Sequence, residues 1–212
     1  MLIRQAAFKA VLSATSKNNS RYLIQEVQVE PDGAVVATDG YVLLKAIERN
    51  RYADEDFPQK DLPTFVGNPT GPVLIDVNRV NKLLAAMPKR STIPVLGTVQ
   101  VSADGQGHVT LAATDLTTPC IVSLPADNDG RRFPNYTQVL PAADRPCMRV
   151  ALSVDVLITL IKSARAVHGK ALHGGTIVFE IPTKHTNCVE PLRITIPGSD
   201  VTVIGGVMPC RV

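Results

Sequence analysis

The sequence predicts an α+β protein in which a strand, an amphipathic helix and three further strands follow one another three times, with the helices on one face of antiparallel sheets. Three observations lead there. Apolar residues recur at helical spacing in three separate segments. Each segment is followed by short runs rich in β-branched residues and divided by turn dipeptides. The triplet Ala-Thr-Asp stands at the same point of two of these blocks, in AVVATDG (Ala34 to Gly40) and in VTLAATDL (Val109 to Leu116), which marks internal repetition.

In chain order, Leu2 to Arg4 reads as a short strand. Phe8, Val11, Leu12 and Thr15 then form the buried stripe of a helix, with Lys9, Ser13 and Lys17 on its other side. Tyr22 to Glu30 alternates, Leu23, Gln25, Val27 and Val29 against Ile24, Glu26, Gln28 and Glu30, as a strand does. Pro31-Asp32-Gly33 turns the chain. Ala34 to Thr38 and Tyr41 to Ile47 follow as two strands joined at Asp39-Gly40. Glu48 to Pro72, charged and proline-bearing, reads as a long surface connection.

The second block opens with a strand at Val73 to Asp76. Its helix buries Val77, Val80, Leu83, Leu84 and Met87, turns Arg79 and Lys82 outward, and is stopped by Pro88. Strands follow at Thr98 to Ser102, His108 to Thr114 and Cys120 to Leu124. The stretch Gly130 to Pro141, GRRFPNYTQVLP, is an extended connector because Pro134 and Pro141 exclude a helix. Its side chains Phe133, Tyr136, Val139 and Leu140 need a surface to lie against. The third block has a strand at Met148 to Leu152, Ser153 as helix N-cap, and a helix burying Val156, Leu157, Leu160, Ile161 and Ala164 that Gly169 ends. Thr176 to Ile181, Leu192 to Ile196 and Val201 to Val207 are its strands. Residues 1–140 therefore form a complete two-block domain, and residues 141–212 a half-domain whose single block must find its complement elsewhere.

Composition excludes several classes. At 212 residues, 45% hydrophobic and 19% charged, the chain has the balance of a soluble globular protein. Arg4 and Lys9 interrupt any apolar run of a leader segment, and no stretch is long enough to span a membrane, so a soluble, cytoplasmic protein is expected. Cys120, Cys147, Cys188 and Cys210 show no CxxC spacing and read as free buried thiols. His168, His173, His185 and Cys188 lie near one another without the spacing of a standard zinc site. There is no GxSxG elbow, phosphate-binding glycine loop or HExxH helix. Asp39 and Asp115 recur as a pair, and their hairpin positions give them a turn role rather than a catalytic one. No catalytic residue, metal or cofactor is expected.

The net charge of +3 is small, but its distribution is not even. No acidic residue occurs between Met1 and Gln25, Val77 and Ala103, or Val156 and Phe179, the three helices with their flanks. Lys9, Lys17, Arg21, Arg79, Lys82, Lys89, Arg90, Lys162, Arg165 and Lys170 fall within those windows. Cationic helix faces at equivalent places are what a protein following a phosphate backbone needs. Nine Phe and Tyr and no Trp do not furnish a base-stacking platform, so contact would be with phosphate, dependent on salt and indifferent to sequence.

ATDGYVL (Ala37 to Leu43), RRFPNYTQVLP (Arg131 to Pro141) and the terminal VMPCRV (Val207 to Val212) resemble signature segments of the bacterial DNA polymerase III sliding clamp, the beta subunit family. The resemblance covers the whole chain and implies a shortened form with three repeat units in a DNA-clamp fold. It implies a processivity factor that surrounds or tracks duplex DNA through basic helices. It implies a homo-oligomer as well, since three units make one and a half of the family's domains. It also implies a hydrophobic pocket for peptides of DNA polymerase, clamp loader or repair proteins. By matching positions that pocket would use Ile24, Thr38, Gly40, Tyr41, Val42, Leu43, Pro134, Gln138, Val139, Gly206, Met208, Pro209, Cys210 and Arg211. Tyr41 and Val42 depart from the family's basic and histidine pair, and Cys210 from its methionine. The alternative expectation is a clamp-fold adaptor or decoy that binds partner peptides without encircling DNA.

Overall fold

A computed structural model describes residues 1–16, 25–59, 62, 66–89, 92–104, 106–125, 128–140, 150–168, 175–181, 191–197 and 202–210. The chain is mixed α+β and divides into two units, Met1–Pro141 and Ala142–Val212. In the first unit the order is β1 (Leu2–Arg4), α1 (Gln5–Leu12), β2 (Glu26–Val29), β3 (Val35–Thr38) and β4 (Leu43–Ala46). It continues with β5 (Val73–Asp76), α2 (Val77–Ala85), β6 (Thr98–Ala103), β7 (Val109–Thr114) and β8 (Pro119–Leu124). Strand, helix and three strands thus occur twice.

Two four-stranded antiparallel sheets result, β4-β3-β2-β5 and β1-β6-β7-β8. The opening strand of each half joins the sheet of the other half. Arg4 stands opposite Thr98, and Asp76 opposite Glu26, so in both cases the residue just before a helix meets the first residue of the receiving strand. Alternation sends one side of every strand inward. Val27, Val29, Val35, Ile75, Val99, Val101, Leu111 and Val122 form one core with Phe8 and Val11 of α1 and Val80 and Leu83 of α2. The two helices pack against each other within it. Asp76 caps α2, its Oδ1 accepting from the Asn78 N–H at 2.8 Å.

The two Ala-Thr-Asp segments make the same turn. After β3, Asp39 Oδ1 accepts from the N–H groups of Tyr41 and Val42, both at 2.8 Å, and Thr38 Oγ1 accepts from Gly40 at 3.1 Å. After β7, Asp115 Oδ1 accepts from Thr117 and Thr118, both at 2.8 Å, and Thr114 Oγ1 from Leu116 at 2.9 Å. This explains why β4 begins at Leu43 rather than Tyr41: the Asp39 carboxylate holds the Tyr41 and Val42 donors in the turn. β2 runs from Glu26 to Val29, inside the expected Tyr22 to Glu30, of which residues 22–24 lie outside the described residues.

The connection after β4 is not wholly a surface loop. A short 3₁₀ turn at Asp54–Asp56 delivers Phe57, which is 2% exposed and packs with Leu2 and Ala112 on the outer face of the β1-β6-β7-β8 sheet. Charge and proline around Phe57 hide a side chain whose burial outweighs the polarity of its neighbours.

The second unit contains α3 (Val154–His168), β9 (Val178–Glu180), β10 (Leu192–Ile196) and β11 (Val203–Val207), in a sheet of order β11-β10-β9. Ser153 caps α3 as expected, its Oγ accepting from Val156 N–H at 3.2 Å. Of the strand expected at Met148 to Leu152, the described part makes a single bridge, Ala151 to Cys210. Leu160 packs with Ile194 and Val207, with Val156 and Leu152 beside them, and Ala164 is also buried. Leu157 and Ile161, expected in the core, are instead exposed. Residues at i, i+4 and i+8 suffice to seat α3 on its sheet, and Leu157 and Ile161 fall on another face of the helix. Cys120 is buried as expected; Cys210 is exposed, lying beyond the end of β11.

Candidate functional site

Of the cationic residues expected to meet DNA, those among the described residues lie on helix surfaces or just beyond a helix end. Lys9 is exposed on α1, its Nζ donating to Gln5 Oε1 at 2.6 Å one turn earlier. Arg79 and Lys82 are exposed on α2, Lys89 just beyond its end, and Arg79 Nη1 donates to the Ser123 carbonyl at 3.3 Å. Because α1 and α2 touch, Lys9, Arg79 and Lys82 belong to one helix pair in the first unit. Lys162 and Arg165 are exposed on α3 in the second. Neither helix of the first unit has an acidic residue in its first turn, whereas α3 has Asp155 there. Lys17, Arg21, Arg90 and Lys170 lie outside the described residues.

The residues expected to form a peptide pocket are divided between the units. In the first, Thr38 is buried and acts in the turn, Gly40 holds φ +91°, a value that favours glycine, and Leu43 is half-buried. Tyr41 at 83% and Val42 at 48% exposure crown the turn. In the connector Pro134, Gln138 and Val139 are exposed. In the second unit Gly206, Met208 and Cys210 are exposed and Pro209 half-buried. Ile24 and Arg211 lie outside the described residues.

Of the four apolar connector side chains, Tyr136 is buried and Phe133 half-buried, their rings meeting edge to face at 6.4 Å, while Val139 and Leu140 remain exposed. What the connector lies against is the polar face of β2. Arg131 pairs with the buried Glu26 carboxylate. Lys45 Nζ donates to the Tyr136 hydroxyl at 3.2 Å, and that hydroxyl donates to Glu30 Oε1 at 2.6 Å, which also accepts from Gln28 Nε2 at 2.7 Å. Burial and the bond to Glu30 push the Tyr136 hydroxyl above its ordinary pKa. For Lys45 burial opposes the charge, but the Tyr136 hydroxyl, Asp32 and Glu30 more than offset it, and its pKa is raised.

Between this connector and the sheet lies a cleft of about 540 Å³, lined by Gln28, Glu30, Leu74, Asn128, Arg131, Arg132, Phe133 and Tyr136 among others. Asn128 braces its far side, accepting from Leu74 N–H at 2.9 Å and donating to the Pro72 carbonyl at 2.9 Å. Among the described residues, Pro134 is the only expected pocket residue that lines it. A signal for this cleft exists in the sequence: Glu26 and Gln28 on the face of β2 turned from the core, with Glu30 just past the strand's end in the same alternation, require polar partners.

Among the described residues no group of three or more His, Cys, Asp or Glu is placed to hold a metal ion, and no helix is long and apolar enough to cross a membrane. Asp39 and Asp115 are occupied as turn acceptors, and the N–H groups of Thr118 and Thr117 hold the Asp115 carboxyl below its ordinary pKa. Compared with known proteins, the chain matches no family model and no curated sequence.

Proposed function

We propose that the protein is a noncatalytic, sliding-clamp-like processivity factor that follows duplex DNA through its basic helix faces and tethers replication or repair proteins through apolar peptide contacts. The clamp fold, with its strand-helix-three-strand repeats, and a homo-oligomeric state belong to this reading. The observation that carries it is the packing of α1 against α2, which gathers Lys9, Arg79 and Lys82 on one pair of adjoining helices. Lysine and arginine so placed attract phosphate without reading bases. Titrating a duplex at several salt concentrations tests it. Affinity should fall steeply with salt, and replacing Arg79, Lys82, Lys162 and Arg165 by Ala should flatten the log–log slope by about 3 to 4, near 0.9 for each phosphate no longer neutralised. A slope near zero in the unaltered protein, or one unmoved by the four substitutions, rejects the reading.

A second reading, an adaptor that takes partner peptides without encircling DNA, is favoured by the exposure of Tyr41, Val42, Val139 and Met208. Apolar side chains of this size held outward suit a partner's apolar anchors. Peptide binding with no salt-dependent affinity for duplex would select it.

A further inference from the structure

The apolar residues of α3 fall on two stripes. One seats the helix on its sheet. The other, Val154, Leu157, Ile158 and Ile161, follows the i, i+3, i+4, i+7 spacing of a second contact face and is exposed, at 70, 39, 43 and 46%. Counted from the first helical residue, the fourth position is Phe8 in α1, Val80 in α2 and Leu157 in α3; the eighth is Leu12, Leu84 and Ile161. In α1 and α2 these residues are buried or packed against the core, and in α3 they are not.

The sheet of the second unit shows a matching gap. In the first unit the strand after each helix, β2 or β6, receives the opening strand of the other half on its free edge. In the second unit β9 pairs only with β10 among the described residues, and Val178, Phe179 and Glu180 are all exposed. The segment before α3 has one edge to offer. Cys210 N–H donates to the Ala151 carbonyl at 2.8 Å, and because successive residues of an extended chain aim their backbone groups to opposite sides, Val150 and Leu152 direct theirs to the other edge.

We propose that the second unit pairs with the second unit of another copy of this chain about a two-fold axis. Each copy lays its segment before α3 along the other's β9, and the two exposed α3 stripes meet. One surface holds both the donor strand and the acceptor edge, which makes it self-complementary, as a two-fold interface must be. Between Val154 and Ile161 the only charged residue is Asp155, so little like-charge repulsion opposes the meeting of two copies. The registers of the first unit transfer: Ser153, just before α3, falls opposite the partner's Val178, Leu152 opposite the partner's Phe179, and Ala151 opposite the partner's Glu180.

This deepens the homo-oligomeric part of the proposed function, and its test uses no DNA, so either can fail alone. Sedimentation velocity of the full chain over a concentration series should show a monomer–dimer equilibrium, and Ile158→Glu should weaken it at least 100-fold with the circular dichroism spectrum unchanged. Ala151→Cys combined with Glu180→Cys, in a Cys210→Ser background, should give a covalent dimer on mild oxidation. A monomer at every concentration overturns the proposal, as does a dimer that survives Ile158→Glu. If Ile158→Glu unfolds the unit, the cysteine pair decides: a disulfide-linked dimer supports the pairing and its absence overturns it.

Discussion

The central strands of the first unit, β2 and β3 in one sheet and β6 and β7 in the other, are buried on both sides, whereas the sheet of the second unit is covered on one. In the first, β2 and β3 are buried along their whole length, α1 and α2 lying over one face and the 131–140 connector over the polar face of β2, while Phe57 covers the outer face of the other sheet at Leu2 and Ala112. In the second, β10 alternates buried with exposed or half-exposed residues, and β9 is exposed throughout. The elements follow one another in the same order in both. The difference therefore comes from what is laid over the sheet, and it concentrates at the fourth and eighth residues of each helix. A helix and three strands specify a sandwich half; its stability depends on who supplies the other half.

The largest test of that contrast is a pair of truncations at the fourth helical position. Phe8→Ala removes a side chain with no exposure from the core and should cost about 3–5 kcal/mol. Leu157→Ala should cost under about 1 kcal/mol in dilute protein, since the side chain is already partly in water. Urea denaturation at two protein concentrations gives both numbers. The Phe8 cost should not depend on concentration, and the Leu157 cost should grow with it if α3 meets a second copy. Equal costs in dilute protein would erase the distinction between the units.

This contrast also marks where the sequence is legible. Every helix is readable, since periodicity reports which residues are apolar, and most strands fall within a residue or two of their expected bounds. Periodicity does not report what meets an apolar residue. Leu157 and Ile161 carry the same signal as Leu160, and only the positions of β10 and β11 separate them. Phe57 is hidden for the opposite reason: one aromatic between Asp56 and Pro58 has no period, and its burial depends on a sheet face made by Leu2 and Ala112, residues far from it in sequence. At the candidate site, the turn role of Asp39 and Asp115 is legible because Asx turns are local. The cleft beneath the connector is legible only in part: the polar face of β2 calls for partners, but those partners come from a segment roughly a hundred residues later.

A smaller effect probes the cover over β2. Tyr136→Phe removes the hydroxyl between Lys45 and Glu30 and should cost about 1.5–3 kcal/mol, the range for a hydrogen bond to a charged partner. The pH dependence has a definite sign. Both Tyr136 and Lys45 have folded pKa values raised above their ordinary 10.0 and 10.5, so the folded state holds these protons more tightly than the unfolded chain. Their contribution is complete below pH of about 10 and is lost as pH climbs through the folded values. Thermal melts between pH 8 and 11 should therefore show an alkaline loss that Tyr136→Phe reduces. An unchanged alkaline limb would mean that the connector is held by Arg131 and packing alone.

The smallest effect tests whether the halves of the first unit are equivalent in detail. Both turns use the same threonine and aspartate acceptors, yet the residue after the aspartate is Gly40 in one, at φ +91°, and Leu116 in the other, at φ +74°. An L side chain in this region costs about 1–2 kcal/mol, and glycine avoids that at the expense of about 0.5–1 kcal/mol of chain entropy. Gly40→Ala should then destabilise by about 1 kcal/mol, while Leu116→Gly should stabilise by a few tenths. Opposite signs in chemical denaturation would show one turn geometry imposed on two sequences by the same pair of side chains. The same sign in both would mean that Leu116, half out in solvent, makes contacts that outweigh its backbone strain, and that the two turns differ in what holds them.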